Sequence, residues 1–344
     1  MPASEERCIC GRFAAVTEAA ALAAAGWMGR NDGLAGSLAA RKAMAAVLAQ
    51  MPIKARVVAG RGGGPSCDVL RVGDEVGSSS GPWVSSSLDG DEWTTDAAVA
   101  WDLAIDPLQA PNSLARGVDG ALTMVAAGPS GSLLPVPEMY MQKLIVPAEA
   151  ADVIDLDAPV EKNIRAVAAA LGRRPEELIV VVLDRPRHEE LIEQVRASGA
   201  RIRLVMDGDV SAGLAVASGD AGVDAYIGIG GSTEAILAAA ALRSLGGEMQ
   251  ARFWPVSRHQ VEMVKAAGIQ DIEARLRAGD MAGEGVLLSA TAVTGGRFLK
   301  AVAYRSDGIY TETIVVCSRC HAVRKIQTIH RRENGGPHVH LGAR

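Results

Sequence analysis

Three short polar stretches, each directly after an aliphatic run, hold the side chains of this chain best suited to chemistry. DRPRH (184–188) places two guanidinium groups and an imidazole within five residues, DGD (207–209) supplies two carboxylates, and GIGGSTE (228–234) is a glycine turn that opens a helix. Guanidinium forks bind phosphate or carboxylate oxygens bidentately. Backbone N–H groups at a helix start add a second surface that favours anions. Asp207, Asp209 and Glu234 could hold a hard cation such as Mg²⁺ through oxygen. An R-x-R pair is commonly a solvated surface, DGD commonly a plain turn, and a GIGG turn is a weak signal alone. Their shared position after strands points to one oxyanion-holding site of the kind that takes a phosphorylated sugar.

The elements that must position these residues form a regular alternation. Aliphatic strands at 178–183, 201–206 and 223–229 are each followed by a helix, near 188–198, 210–218 and 234–245. Such alternation predicts a parallel sheet covered on both faces, with ligands beyond the carboxyl ends of its strands. The first half is less regular. Alanine-rich helices at 12–28 and 34–50 flank a glycine-bounded connector (29–33), and a short strand at 55–58 enters a loose glycine-rich segment (60–68). A Ser/Gly/Asp-rich insertion covers 73–101, a strand at 101–105 is ended by Pro107, and another runs over 121–127. The last 60 residues read as strands at 285–293, 299–304, 311–317 and 323–330 with a polar tail. The expected division is an N-terminal α/β subdomain, 1–155, and a C-terminal one, 156–344, with a return of the last strands to the first left open.

Composition narrows the classes. The 344 residues carry 35 Lys plus Arg against 40 Asp plus Glu, a net charge of −5, which argues against a dedicated nucleic-acid binder. An apolar content of 49% with 22% charged residues excludes wholesale disorder. Aromatic residues are 3% of the chain, so the core is expected to be built from small side chains. No run approaches the roughly 20 apolar residues of a membrane span. Glu5, Glu6 and Arg7 precede any apolar run, unlike a signal peptide. Five cysteines without an export signal predict reduced thiols and a cytoplasmic location.

LDRPRH (183–188), DGDV (207–210) and GIGGSTE (228–234) resemble the class II fructose-1,6-bisphosphatase family, which includes sedoheptulose-1,7-bisphosphatases. GRND (29–32), DLAIDP (102–107) and YMQKL (140–144) resemble the family's GRGD, D-x-A-V-D-P and YM-x-KL in the same order, from about residue 12 to 330. The resemblance implies a layered α/β sandwich of the lithium-sensitive sugar phosphatase type. It implies metal-assisted hydrolysis of the 1-phosphate of a ketose bisphosphate, fructose-1,6-bisphosphate or sedoheptulose-1,7-bisphosphate. It places Tyr140, Lys143, Arg185 and Arg187 on the phosphates, Asp207 and Asp209 on sugar hydroxyls, and Gly230 and Gly231 in the binding turn. It makes Asp32, Asp106 and Glu234 metal-binding acids, with Asp106 and Glu234 catalytic, and a homodimer or homotetramer the expected assembly.

The departures from that family pattern fall on the metal turn. The family's GEGE aligns with GRGG (60–63), so two glutamates become Arg61 and Gly63. The family's D-P-x-E-G-T aligns with DPLQAP (106–111), so a ligand glutamate becomes Gln109 and the threonine that orients the attacking water becomes Pro111. The lysine after GRGD is Gly33. Glu to Arg adds two positive units, and Glu to Gly or Gln adds one each. At 4 Å, each unit repulsion is worth about 4 kcal/mol at an effective dielectric of about 20. The expectation is Mg²⁺ or Mn²⁺ in fewer copies than the family norm, or none. Hydrolysis is the leading reading, with replacement acids from the insertion (Asp89, Asp91, Glu92, Asp96) as one route. The alternatives are a non-hydrolytic phosphosugar-binding or regulatory paralogue, or a repurposed biosynthetic enzyme acting on a phosphorylated sugar.

Three features fall outside that picture. CSRCH (317–321) matches the c-type haem attachment pattern, which the missing export signal disfavours. The same CxxC could join Cys8 and Cys10 in a four-thiolate zinc site linking the two ends of the chain. His188 reads equally as a phosphate donor or as a surface residue at a helix start.

Overall fold

The structure, a computed structural model, describes residues 8–61, 68–78, 100–219, 222–296 and 298–331. Asp89, Asp91, Glu92 and Asp96 lie outside the described residues, as do Gly62, Gly63 and Cys67. The strands in chain order are β1 (Lys54–Gly60), β2 (Glu75–Val76), β3 (Ala100–Gln109), β4 (Leu122–Pro129), β5 (Tyr140–Val146), β6 (Ile179–Leu183) and β7 (Arg201–Val205). They continue with β8 (Ala225–Gly231), β9 (Glu248–Phe253), β10 (Leu276–Arg277), β11 (Leu287–Ala292), β12 (Ala303–Arg305), β13 (Gly308–Cys317) and β14 (Ala322–His330). The helices are α1 (Phe13–Ala25), α2 (Gly33–Leu48), α3 (Pro111–Arg116), α4 (Val160–Ala170), α5 (Glu189–Ala197), α6 (Asp209–Ser218), α7 (Ser232–Leu245), α8 (Arg258–Ala266) and α9 (Ala278–Met281). The class is α/β, with two mixed sheets flanked by helices, consistent with a layered sandwich.

The chain forms two compact units, Met1–Leu133 with Gly285–Arg344, and Leu134–Glu284. This differs from a division at 155. β5 is hydrogen-bonded to β8 on one side and β9 on the other, so residues 140–146 belong with the second unit. β11 pairs with β4, which places the strands after 285 in the first unit.

In the first unit the described strands form the order β12-β13-β11-β4-β3-β1-β2, with β14 on β13. α1 lies against this sheet with nearly its whole circumference buried. Its alanines give high helix propensity, and their small side chains let β3, β4, β11 and α2 approach closely. Two polar residues go into that core with partners. Thr17 Oγ1 lies 2.9 Å from Ser289 Oγ and 2.7 Å from Thr291 Oγ1. The Glu18 carboxylate accepts from Thr328 Oγ1 at 2.7 Å and from Thr313 Oγ1 at 3.3 Å. β3 does not stop at Pro107 but runs on to Gln109. Its register against β4 shifts between Asp106 and Gln109, so the proline's missing N–H falls in an irregularity of the ladder.

In the second unit the order is β10-β9-β5-β8-β6-β7. β6 runs parallel to β7 and β8, whereas β5 is antiparallel to β8 and β9, and β10 to β9. The sheet is therefore mixed, and the purely parallel expectation holds only for β7-β6-β8. Leu144, Val146, Val180, Val182, Ala225 and Ile227 face α4 and α5 in one apolar cluster. Strand alternation turns Ile145 to the other face, where Gly213 of α6 packs on it.

Candidate active site

In the second unit, three loops meet beyond the carboxyl ends of β6, β7 and β8. After β6, Asp184 N–H donates to Val205 O (2.8 Å), and the chain then makes a single helical turn, 186–188. The Arg185 guanidinium reaches the loop after β7 and pairs with Asp207 Oδ1 at 2.5 Å. The Arg187 guanidinium donates to Ile229 O at 2.8 Å and sits 4.8 Å over the Tyr140 ring, a cation–π contact. Both arginines thus turn toward the DGDV and GIGGSTE loops.

His188 is the clip that holds this turn. It is buried, its Nδ1 lies 2.8 Å from Leu183 O, and its Nε2 accepts from Ile229 N–H at 2.8 Å. Both ring nitrogens are used in the neutral tautomer. Burial pushes its pKa down, helped by the charges of Arg187 and Arg185 and opposed by the bond to Leu183. Neither sequence reading, phosphate donor or surface residue, describes that role.

Lys143 of β5 is 1% exposed, and its ammonium donates to Asp209 Oδ2 and to Gly231 O, each at 2.6 Å. Asp209 opens α6 after Gly208, whose φ of +101° is left-handed backbone that suits glycine. Two glycines of β8 make room for carboxylates. A Cβ at Gly230 would lie 2.1 Å from Asp209 Oδ2, and one at Gly231 would lie 2.0 Å from Glu234 Oε2. Glu234 sits buried in the first turn of α7, whose start is fixed by Ser232 Oγ donating to Pro137 O at 2.6 Å. Tyr140, Lys143, Arg185, Arg187, Asp207, Asp209, Gly230, Gly231 and Glu234 therefore all belong to β5, β8 and the three loops.

Two residues of this region escaped the sequence reading. The Tyr226 hydroxyl is fully buried, carries no hydrogen bond among the described residues and would touch a Cβ at Gly228 (3.1 Å). Its pKa is raised well above the ordinary value by burial and by Asp209. Thr233 Oγ1, in the first turn of α7, is likewise buried without a hydrogen-bond partner. A tyrosine in an aliphatic strand and a threonine in a helix start read as packing, so only geometry reveals them. A cleft of about 250 Å³ opens on the α4 and α5 face beside Arg187, His188 and Trp254, opposite the sheet face of Lys143.

The first unit holds the remaining predicted acids. Asp32 caps α2, its Oδ1 accepting from Ala35 N–H at 2.9 Å, and Asp106 is buried in β3. The loop before α2 is latched to α3 by Gly29 N–H to Leu114 O and Asn31 N–H to Ala115 O, both 2.9 Å. Gly33 and Pro111 touch: a Cβ at Gly33 would lie 2.4 Å from Pro111 O. Gln109 is 1% exposed, and neither amide atom has a hydrogen-bond partner among the described residues. Arg61 N–H donates to Ile105 O at 3.2 Å, and the buried Arg41 guanidinium donates to Arg61 O, fixing the residue after β1. The donors here are oxygen, and the orphaned Gln109 amide suits a hard cation such as Mg²⁺ or Mn²⁺.

No helix among the described residues is long and apolar enough to cross a membrane. The family described as bacterial fructose-1,6-bisphosphatase, glpX-encoded, matches residues 7–330. The chain is 36% identical over 336 residues to the D-fructose 1,6-bisphosphatase class 2/sedoheptulose 1,7-bisphosphatase of Synechococcus sp. (strain JA-3-3Ab), covering 94% of this chain and 95% of the relative. It is 35% identical over 337 residues to the fructose-1,6-bisphosphatase class 2 of Haemophilus influenzae, covering 94% and 96%. The corresponding protein of Trichodesmium erythraeum, named as for Synechococcus, is 32% identical over 328 residues, covering 92% and 94%. With a match of that extent and with relatives alike along their whole lengths, the chain belongs to the glpX-encoded bacterial fructose-1,6-bisphosphatase family.

Proposed function

We propose that the chain hydrolyses a phosphate ester of a ketose bisphosphate, with fructose-1,6-bisphosphate or sedoheptulose-1,7-bisphosphate as substrate class. The observation that carries this is the turning of Arg185, Arg187 and Lys143 onto the Asp207–Asp209 loop and the end of β8. Lys143 uses two of its three N–H groups internally, which leaves one for a phosphate oxygen. Arg185 and Arg187 each spend part of a fork on the protein and keep further N–H groups for the ligand. The α7 start, with Gly230, Gly231 and the Thr233 hydroxyl, offers amides and an O–H to an anion. Asp207 and Asp209 would accept from sugar hydroxyls.

The acids that would hold Mg²⁺ or Mn²⁺ are Asp32, Asp106 and Glu234, an assignment resting on the motif matches. When bound, such an ion polarises phosphoryl oxygens and lowers the pKa of an attacking water. With Gln109 neutral and Arg61 cationic in the family's glutamate positions, fewer ions than the family norm are proposed. A homodimer or homotetramer in the cytoplasm completes the reading.

The test is phosphate release from either bisphosphate with added Mg²⁺ or Mn²⁺. Release that depends on the ion is expected. Tight binding without release at high metal would remove hydrolysis and leave the non-hydrolytic phosphosugar-binding reading. That second reading has its own support in the Gly33–Pro111 contact, because the two positions that lack the family's lysine and hydroxyl close against each other.

A further inference from the structure

Four cysteines that take no part in the proposed phosphate-binding loops converge within the first unit. Cys8, Cys10, Cys317 and Cys320 place their sulfurs within 4.8 Å of one another. Cys8 Sγ lies 3.7 Å from Cys317 Sγ, and Cys10 Sγ lies 3.6 Å from Cys320 Sγ. A disulfide would need about 2.05 Å. A tetrahedral ion bonded to four sulfurs at about 2.3 Å instead requires edges of about 3.8 Å between them. These two separations match the tetrahedron and not the disulfide.

The surroundings suit a closed centre. Cys10 and Cys317 are buried, and Cys8 and Cys320 are half-buried against the same apolar core. Cys317 ends β13, Cys320 lies in the four-residue turn to β14, and His321 takes a left-handed φ of +51° that closes the hairpin. The CxxC spacing thus puts two sulfurs on one side of a tight turn. The opposing pair, Cys8 and Cys10, flanks Ile9 at the helical turn that leads into α1. The Arg324 guanidinium donates to Cys10 Sγ at 3.3 Å and to Cys320 Sγ at 3.7 Å. Four thiolates around a divalent ion leave two net negative charges, and a guanidinium in contact with two of the sulfurs offsets part of that charge.

We propose that Cys8, Cys10, Cys317 and Cys320 form a structural zinc site that fastens the start of α1 to the β13–β14 hairpin. Four protein sulfurs fill the coordination sphere, so the ion has no open position and serves the fold instead of the reaction. Each coordinated thiol releases its proton on binding, and no redox step is involved. The site closes a chain segment of more than 300 residues, since Cys8 and Cys317 are separated by 309 positions. It is independent of the phosphatase reading.

The experiment uses the full chain, purified under reducing conditions and dialysed against EDTA. Metal analysis should find about one zinc per chain, released when a mercurial blocks the thiols. Cobalt replacement should give the intense visible bands and sulfur charge transfer of a tetrahedral tetrathiolate, which oxygen ligands of a Mg²⁺ site cannot produce. Cys8→Ser/Cys10→Ser should lose the zinc at least tenfold, while Cys67→Ser should keep it. If the double variant fails to fold, zinc protection of these four cysteines from alkylation in the wild-type chain decides. A wild-type protein without retained zinc and without a cobalt–thiolate band overturns the site. Cys8–Cys317 and Cys10–Cys320 disulfides in freshly reduced, air-excluded protein overturn it equally, and a red, iron-loaded centre overturns zinc as the ion.

Discussion

Replacing Lys143 by methionine isolates the central pair of the proposed phosphate-binding region. The ammonium and the Asp209 carboxylate are 2.6 Å apart, with side-chain exposures of 1% and 6%. At that separation their attraction is about 6 kcal/mol at an effective dielectric of about 20, most of it offsetting the desolvation of both charges. Removing one partner leaves the other charge buried, at about 3–5 kcal/mol. For a unit of this size that corresponds to a fall in Tm of roughly 6–20 °C. Thermal unfolding by circular dichroism reads the loss. Lys143→Met/Asp209→Leu should recover most of it, because no orphaned charge remains, yet should not recover bisphosphate binding measured by calorimetry. Gly230→Ala should imitate the single variant in part, since its Cβ would fall 2.1 Å from Asp209 Oδ2. An unchanged Tm in Lys143→Met, or a double variant no more stable than the single, would refute the buried pair as the support of this region.

Three further outcomes follow from other parts of the molecule. Gly33→Ala should lower Tm by several degrees, through about 1–3 kcal/mol of overpacking against Pro111 O, and an unaffected Tm would dismiss that contact. His188 has a folded pKa below the unfolded 6.5, so the unfolded chain binds more protons and stability rises with pH in that window. Urea unfolding should show a component fully present above pH 6.5, lost as pH falls through the folded value and missing in His188→Gln; parallel pH profiles would count against the clip. Arg61→Glu/Gln109→Glu should strengthen Mn²⁺ binding at least tenfold by calorimetry, and no gain would sink the charge argument for a depleted metal turn.

The meeting of the loops after β6, β7 and β8 was legible because their residues are anomalous for their places. Two arginines around a proline, a DGD turn and a glycine-rich helix start all follow aliphatic strands, and strand ends are where an α/β sheet presents ligands. Lys143 was legible only by family likeness. A lone lysine in a strand ordinarily reads as surface, and nothing local announces that Asp209, 66 residues away, buries with it. The sheet direction was misjudged for a related reason. β9 (EMQARF) is short and polar on alternate positions, and β5 is preceded by a proline-rich turn, so neither advertised the antiparallel pairing of β9 with β5 and of β5 with β8. Pro107 misled as a strand end because the bulge that tolerates it depends on β4, not on its neighbours. The boundary at 155 differs from the one at Leu134 because the partners of β5, β8 and β9, lie some 80 to 110 residues downstream.

The discontinuity of the first unit bears on how the chain leaves the ribosome. The segment Leu134–Glu284 is contiguous and holds its own sheet and helices, so it can close as soon as its last residue emerges. α1 has no such opportunity. The side chains of Thr17 and Glu18 find hydroxyl partners on β11, β13 and β14, which are synthesised more than 270 residues later. During that interval an alanine-rich helix with almost no polar face has α2, β3 and β4 to pack on but lacks β11 and β13, a stretch where nascent-chain chaperones should bind and where truncated products should aggregate.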